Sequence, residues 1–244
     1  MLNRKKQKFD IFLPVIDETF SLEQTIKIIE SQSSNFISKY FIVLSNTKTK
    51  QKSVNISHKL KNKYKEKIKI IYQKDDFIGG AIKTAIQNIE ASHFILMASD
   101  LETDPNNVKK LITNSIAYPN KIIVANRWLE KNSFEGYNIF KLFLNKLFQI
   151  FFSKMYSVTL SDLTFAFRIY PSKFLKKLIL KEKKHPILLE TILIPIKLRI
   201  NFVEISSKWK SRKEGESNNS FLKNFAYILT GFRIFFSKKN KLSK

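Results

Sequence analysis

An α/β fold with a mostly parallel sheet flanked by helices is predicted by three observations. Short apolar runs alternate with stretches of helical spacing from Lys8 to Ala125, the pattern of βαβ units. Three of the runs end in polar or acidic loops, at Asp17, Ser45 and Asp100, and in a parallel sheet such ends share one edge. The central run, Phe94-Ile95-Leu96-Met97, leads through Ala98-Ser99 into three acids, Asp100, Glu102 and Asp104, closed by Pro105, as a buried strand ending at a site does.

The elements follow in order. Lys8–Ile16 reads as a first strand ending near Pro14, then Asp17-Glu18 and a helix over Ser21–Ser31 with Ser21 as its cap. Lys39–Ser45 is a second strand running into Ser45-Asn46-Thr47. Within the lysine-rich stretch 48–66, Val54, Ile56, Leu60 and Tyr64 fit one face of a helix. Lys67–Tyr72 is a third strand, Gln73–Gly80 a loop, and Ala81–Ile89 a helix. After the central strand come a helix over Asn106–Tyr118 and a strand over Lys121–Ala125, ending at Asn126-Arg127. Further on, a helix begins at Pro171, another spans Pro186–Arg199, and Asn201–Ser206 is a strand.

Composition bounds the function. The chain has 244 residues, enough for one full-size domain, with 43% hydrophobic and 26% charged residues, an ordinary globular balance. Without cysteine there are no disulfides and no zinc-thiolate sites, which fits a reducing compartment. No apolar stretch approaches the roughly 20 residues of a spanning helix, and the basic N-terminus lacks the apolar core of a signal peptide. The formal charge of +24 suits nucleic acid, an anionic membrane or phosphorylated ligands. Lysine supplies most of it, alongside abundant Asn, Ile and Phe, as a biased genome would write a solvated surface. Among only six arginines, Arg127, Arg168 and Arg212 stand where a planar bidentate fork is wanted. No nucleic-acid motif accompanies the charge.

Two segments are aromatic and basic together. Tyr137–Tyr156 is rich in Phe and Leu, with Lys141, Lys146 and Lys154 at intervals, and Phe221–Phe236 precedes Lys238, Lys239 and Lys241. Each suits an amphipathic helix in a membrane interface or an ordinary core helix; having two favours the interface.

Carboxylates at the end of the central strand suit a hard divalent cation holding phosphates, and equally an Asp-Pro turn capping a helix. Gly79-Gly80 belongs to neither a Walker loop nor a dinucleotide fingerprint; the pair allows a tight turn, and the helix behind it favours a phosphate. Three scattered histidines, His58, His93 and His185, read as structural or surface residues.

The order of these pieces resembles family 2 glycosyltransferases, in particular the dolichyl- and polyprenyl-phosphate sugar synthases (dolichol-phosphate mannose synthase-like). Pro14-Val15-Ile16-Asp17-Glu18 resembles that family's P-x-x-N-E, Gly79-Gly80-Ala81 its glycine turn, and Ala98-Ser99-Asp100 with Pro105 its D-x-D. Asn126-Arg127 stands for S-R, Asp162 to Arg168 for D-x-T-x-G-F-R, and Trp209, Arg212, Gly215 and Ser217 for W-x-x-R-x-x-G-x-S. The similarity runs over roughly residues 8 to 220. Two departures fall on the donor side: Ser45-Asn46 replaces an aspartate pair, and Ala98 replaces the first aspartate of D-x-D.

The resemblance implies a GT-A-like, Rossmann-like sheet over residues 1–218, with a basic membrane-associating segment over 219–244. It implies inverting transfer of a sugar from a GDP- or UDP-sugar to polyprenyl or dolichyl phosphate, at the cytoplasmic face of a membrane. Mg²⁺ or Mn²⁺ would sit on Asp100, with Glu102, or Asp104 in its place, as second ligand, and Asp100 and Glu102 would carry catalysis. Pro14, Asp17, Glu18, Ser45, Asn46 and Gly80 would hold the nucleotide sugar. Arg127, Lys141, Asn145, Asp162, Arg212 and Ser217 would bind the acceptor or its phosphate. A phosphate acceptor, already anionic near neutral pH, needs no general base; a glycan hydroxyl acceptor, as in surface polysaccharide synthesis, would need Asp162 or Glu190 as one. The donor-side departures also suit a catalytically impaired lipid-phosphate-binding scaffold.

Overall fold

The structure is a computed structural model and describes residues 7–212, 214 and 224–244. Seven strands form one sheet in the order β3-β2-β1-β4-β7-β5-β8. These are β1 (Phe9–Val15), β2 (Ile37–Leu44), β3 (Ile68–Tyr72), β4 (His93–Leu96), β5 (Ile122–Asn126), β7 (Arg168–Pro171) and β8 (Phe202–Ser206). β1 pairs in parallel with both β2 and β4, β2 with β3, and β5 with β8. β7 is antiparallel to both β4 and β5. A second, two-stranded sheet joins β6 (Phe134–Glu135) to β9 (Trp209–Lys210).

The α/β expectation holds, and the strands that the sequence marks begin and end within two residues of the observed ones. β6, β7 and β9 are not among them: β6 and β9 are two residues long, the stretch through Asp162 and Arg168 gives no alternating pattern, and the helix expected from Pro171 is a single turn, α6 (Ser172–Leu175). β1, β2 and β4 are buried on both sides of the sheet, which is why they read as continuous apolar runs, while β3 lies at its edge with only Ile68 fully buried.

One face of the sheet is covered by α1 (Phe20–Ser33), α2 (Gln51–Tyr64) and α4 (Asn107–Ala117). The other carries α3 (Phe77–Asn88), α5 (Ile139–Met155), α7 (Ile187–Lys197) and α8 (Asn224–Phe236). Ser21 is not the cap of α1: Thr19 takes that position, and Ser21 is buried in the first turn. The helix after β3 starts at Phe77, so Gly79 and Gly80 lie inside its first turn rather than before it. A Cβ on Gly80 would stand 1.8 Å from the Asp75 carbonyl oxygen, and one on Gly79 2.4 Å from that of Lys183. Both glycines therefore admit backbone, as close approach requires.

Residues 224–244 are joined to the body. Tyr227 and Ile234 of α8 and Leu242 beyond it are buried in the core. Gly231 lets α8 lie on the Phe152 ring of α5, where a Cβ would meet Cε1 at 2.0 Å. Arg233 bridges Glu182 at 3.0 Å and Glu190 at 2.7 Å.

Candidate active site

The carboxyl ends of β1, β2, β3 and β4 lie along one edge of the sheet, and most of the predicted donor-side residues stand there. Leu101, just after β4, adopts a left-handed backbone (φ 63°), which turns the chain so that the Asp100 and Glu102 carboxylates converge. Asp100 Oδ1 accepts the Glu102 N–H at 3.0 Å. The remaining oxygens meet Arg212: its Nη2 is 3.1 Å from Asp100 Oδ2 and its Nε 2.8 Å from Glu102 Oε1. Trp209 Nε1 donates to Glu102 Oε2 at 3.3 Å.

Arg212 arrives on the strap that follows β8. The strap is tied at the Trp209 end by the β6–β9 pairing and by a ring contact of 4.9 Å between Tyr137 and Trp209. Beyond Arg212, Glu214 closes on the start of α1. Its carboxylate accepts the Thr19 N–H at 2.9 Å, the Ser21 N–H at 3.1 Å and the Ser21 hydroxyl at 2.9 Å, and also the Thr19 hydroxyl.

Burial, with Glu102 as a neighbouring negative charge, pushes the Asp100 carboxyl well above the usual range, against the pull of Arg212. Burial alone would lower the Arg212 pKa; Glu102 and Asp100 outweigh it and raise it. Glu214 shows the reverse balance: slight burial raises its pKa, but the hydrogen bonds from Thr19 and Ser21 hold it down at about 2.

Glu18 turns back on its own loop: Oε2 accepts the Ile16 N–H at 2.6 Å and the Asp17 N–H at 3.1 Å. Burial raises its pKa above the ordinary value despite these bonds. Asp17 is half-buried, with Lys50 Nζ 4.0 Å away. Pro14 contributes its carbonyl to the Ser99 hydroxyl. Ser45 is buried, and its hydroxyl accepts the Lys48 N–H at 3.2 Å, while Asn46 is exposed. Gly80 serves the tight first turn of α3 described above.

The acceptor-side residues divide. Arg127 is buried and spends its fork on Asp162, with Nε to Oδ2 at 2.8 Å and Nη2 to Oδ1 at 2.9 Å. Its ring neighbours Phe134 and Phe165 stand 5.3 and 4.6 Å from the guanidinium carbon. Asp162 also accepts the Arg127 and Phe165 N–H groups. Arg168 is fully buried and donates to the Leu163 and Leu188 carbonyls, both at 2.8 Å. These two forks thus organise the protein interior. Lys141 is exposed in the first turn of α5. Asn145 Oδ1 accepts from Gln149 Nε2 at 2.7 Å, and Gln149 also meets Thr164 and the Leu163 N–H. The sequence gives one signal for Gln149, its position one turn after Asn145 on a helix. Gly215 and Ser217 lie outside the described residues.

Glu190, the other acid considered as a base, is buried and accepts the Lys181 and Glu182 N–H groups as well as Arg233. His93 is buried against Phe9, with Nε2 2.9 Å from the Pro119 carbonyl oxygen.

Residues 10–179 match the description of glycosyl transferase family 2. The chain belongs to glycosyl transferase family 2. As a family 2 glycosyltransferase, it shares its fold with glucosyl-3-phosphoglycerate synthase from Mycobacterium tuberculosis. The complex of that enzyme with Mn²⁺, UDP and phosphoglyceric acid aligns at a TM-score of 0.71 and 9% identity, covering 95% of this chain and 80% of that one. Its complex with UDP aligns at 0.67 and 11% identity, covering 94% and 80%. A further mycobacterial protein aligns at 0.68 and 10%, covering 93% and 74%. The GT-A-like arrangement expected of the sheet is the one these structures share.

Proposed function

We propose that this glycosyltransferase moves a sugar from a nucleotide sugar, UDP- or GDP-linked, to a polyprenyl phosphate held at a membrane surface. One observation carries the choice of acceptor. α5 and α8 pack on each other through Gly231, and both leave large apolar side chains in solvent. Ile139, Phe140, Phe143, Leu147, Ile150 and Phe151 recur at helical spacing along α5, joined by Phe225, Leu229 and Phe236 of α8. Lys141, Lys154, Lys238, Lys239 and Lys241 lie among or beside them. A broad apolar face rimmed by lysine suits the surface of an anionic membrane. Among the described residues no helix is long and apolar enough to cross one.

The chemistry supports a phosphate acceptor. Asp162 and Glu190, the acids considered as a base for a hydroxyl acceptor, are both committed to arginines and backbone N–H groups. A phosphate monoester is already a nucleophile near neutral pH. The residues then position the two substrates and stabilise charge on the departing diphosphate.

Asp100 and Glu102 present hard oxygen donors to a single cationic position, which fits Mg²⁺ or Mn²⁺. No cluster of three or more ligating side chains exists among the described residues, so the remaining ligands fall to the diphosphate and water. The metal would offset negative charge on the leaving diphosphate. Arg212 fills that position here; with Asp100 and Glu102 holding a metal, its fork would be available to phosphate. Arg127, in this reading, positions the Asp162 loop instead of touching phosphate.

The test is an acceptor comparison at fixed UDP- or GDP-sugar and Mn²⁺. Polyprenyl phosphate in vesicles, 3-phosphoglycerate and a free glycan would be offered separately, with products followed by mass spectrometry. Glycosylated lipid phosphate is the expected product. Transfer to 3-phosphoglycerate or glycan alone would overturn the acceptor assignment, and vesicle binding without any transfer would replace it with a scaffold.

A further inference from the structure

The loop between β3 and α3 holds an aromatic residue in a backbone conformation that suits it poorly. Phe77 has φ 65°, in the left-handed region, where a Cβ crowds the carbonyl and a bulky side chain is rare. The residue gains little burial in return, since it is 42% exposed. Such strain persists only where the surroundings fix it. Here the Gly80 backbone lies on Asp75, the Gly79 N–H donates to the Lys183 carbonyl at 2.8 Å, and Gln73 Nε2 donates to the Asp75 carbonyl at 2.9 Å. The two glycines thus hold the loop in the shape that presents the ring.

Two lysines from other segments reach that ring. Lys48 Nζ, in the loop after β2 beside Ser45-Asn46, is 5.0 Å from its centroid, and Lys184 Nζ, before α7, is 5.1 Å away. The ring therefore stands between the β2 loop and the segment ahead of α7, at the carboxyl edge that also carries Asp100. β3 and β4 are three strand spacings apart, about 14 Å. A nucleoside diphosphate extended along that edge spans such a distance.

We propose that the Phe77 ring is the platform on which the nucleobase of the donor stacks. The inference rests on the nucleotide-sugar reading above. Stacking tolerates any base, because every base offers a π face. It supplies from the β3 side an anchor that the uncharged Ser45-Asn46 pair does not provide by ion pairing. Lys48 and Lys184, displaced from the ring by the base, remain as a cationic rim facing the nucleotide.

Calorimetry with UDP, GDP, uridine and inorganic pyrophosphate, each with Mn²⁺, tests it. Phe77→Ala should weaken UDP, GDP and uridine by about 5- to 150-fold, the effect of losing one base–aromatic stack, and leave pyrophosphate unchanged. Phe77→Tyr should keep nucleotide affinity within about twofold. Phe77→Asn, which relaxes the left-handed backbone, should unfold at a higher temperature than the wild type while binding nucleotide as weakly as the alanine variant. Nucleotide affinity equal in Phe77→Ala and wild type, or an equal loss of pyrophosphate, would overturn the platform and leave the donor reading standing. Wild-type protein that binds pyrophosphate but neither UDP nor GDP would sink both.

Discussion

Arg212 Nη2 stands 3.1 Å from Asp100 Oδ2, so the strap after β8 is fastened to the acidic loop after β4 by the residue whose charge a metal ion would replace. The same guanidinium reaches Glu102 at 2.8 Å. Removing it leaves two converging carboxylates without their internal cation. Arg212→Ala is therefore expected to bind Mn²⁺ alone about tenfold more tightly than the wild type, read by electron paramagnetic resonance. Sugar transfer should fall in the same variant, because the fork is no longer there for phosphate. Unchanged Mn²⁺ affinity would show that Arg212 and the metal do not share a position.

The Arg127–Asp162 pair is a different kind of contact. Both partners are buried, and each oxygen of the carboxylate is matched by a guanidinium nitrogen. Breaking such a pair from one side strands a charge in the interior. Asp162→Ala should lower unfolding free energy by roughly 3–5 kcal/mol, measured by urea denaturation. A loss under about 1 kcal/mol would mean that Arg127 is free to serve a substrate.

Glu214 makes the strap sensitive to acid. Its pKa is held at about 2 against an ordinary value of 4.5 by Thr19 and Ser21. A depressed carboxylate pKa stabilises the fold above the unfolded value and loses that contribution as pH falls toward the folded one. Wild type should exceed Glu214→Gln in thermal stability at pH 6, with the gap closing between about pH 4.5 and pH 2. The carboxylate is half-buried and still reached by water, so screening keeps the gap modest. A gap that is flat across this range would detach Glu214 from the start of α1.

The α5 face makes a prediction that leaves the core untouched. Phe140 and Phe143 are 65% and 57% exposed. Replacing both with Ser should reduce partition onto anionic vesicles by about tenfold or more, at roughly 1.5–3 kcal/mol per buried aromatic side chain, with the unfolding midpoint unchanged. Equal partition would remove the membrane from the account.

What the sequence disclosed follows from how local each signal is. β1, β2 and β4 are legible because burial on both faces writes a continuous apolar run. β7 is not: it is four residues long, opens on the buried Arg168, and owes its place to neighbours on both sides. Asp100 and Glu102 stood out as acids after a strand, yet their cation comes from Arg212, 110 residues beyond Glu102, and only a resemblance linked the two. Arg127 and Arg168 stand out in the sequence by the rarity of arginine, but a sequence does not distinguish an arginine turned to phosphate from one turned to a buried carboxylate or carbonyl. Phe77 is silent in the sequence because its meaning lies in φ and exposure, neither of which the residue type announces.

The most direct test of the central claim is a donor screen with polyprenyl phosphate in vesicles. Wild type, Asp100→Ala and wild type with chelator would each meet a panel of UDP- and GDP-sugars with Mg²⁺ or Mn²⁺, and lipid-linked sugar would be followed by mass spectrometry. The account predicts product from at least one donor, reduced about 100-fold or more by Asp100→Ala and abolished by chelator. Product formed equally well by Asp100→Ala, or no product from any donor while vesicle binding persists, would contradict it.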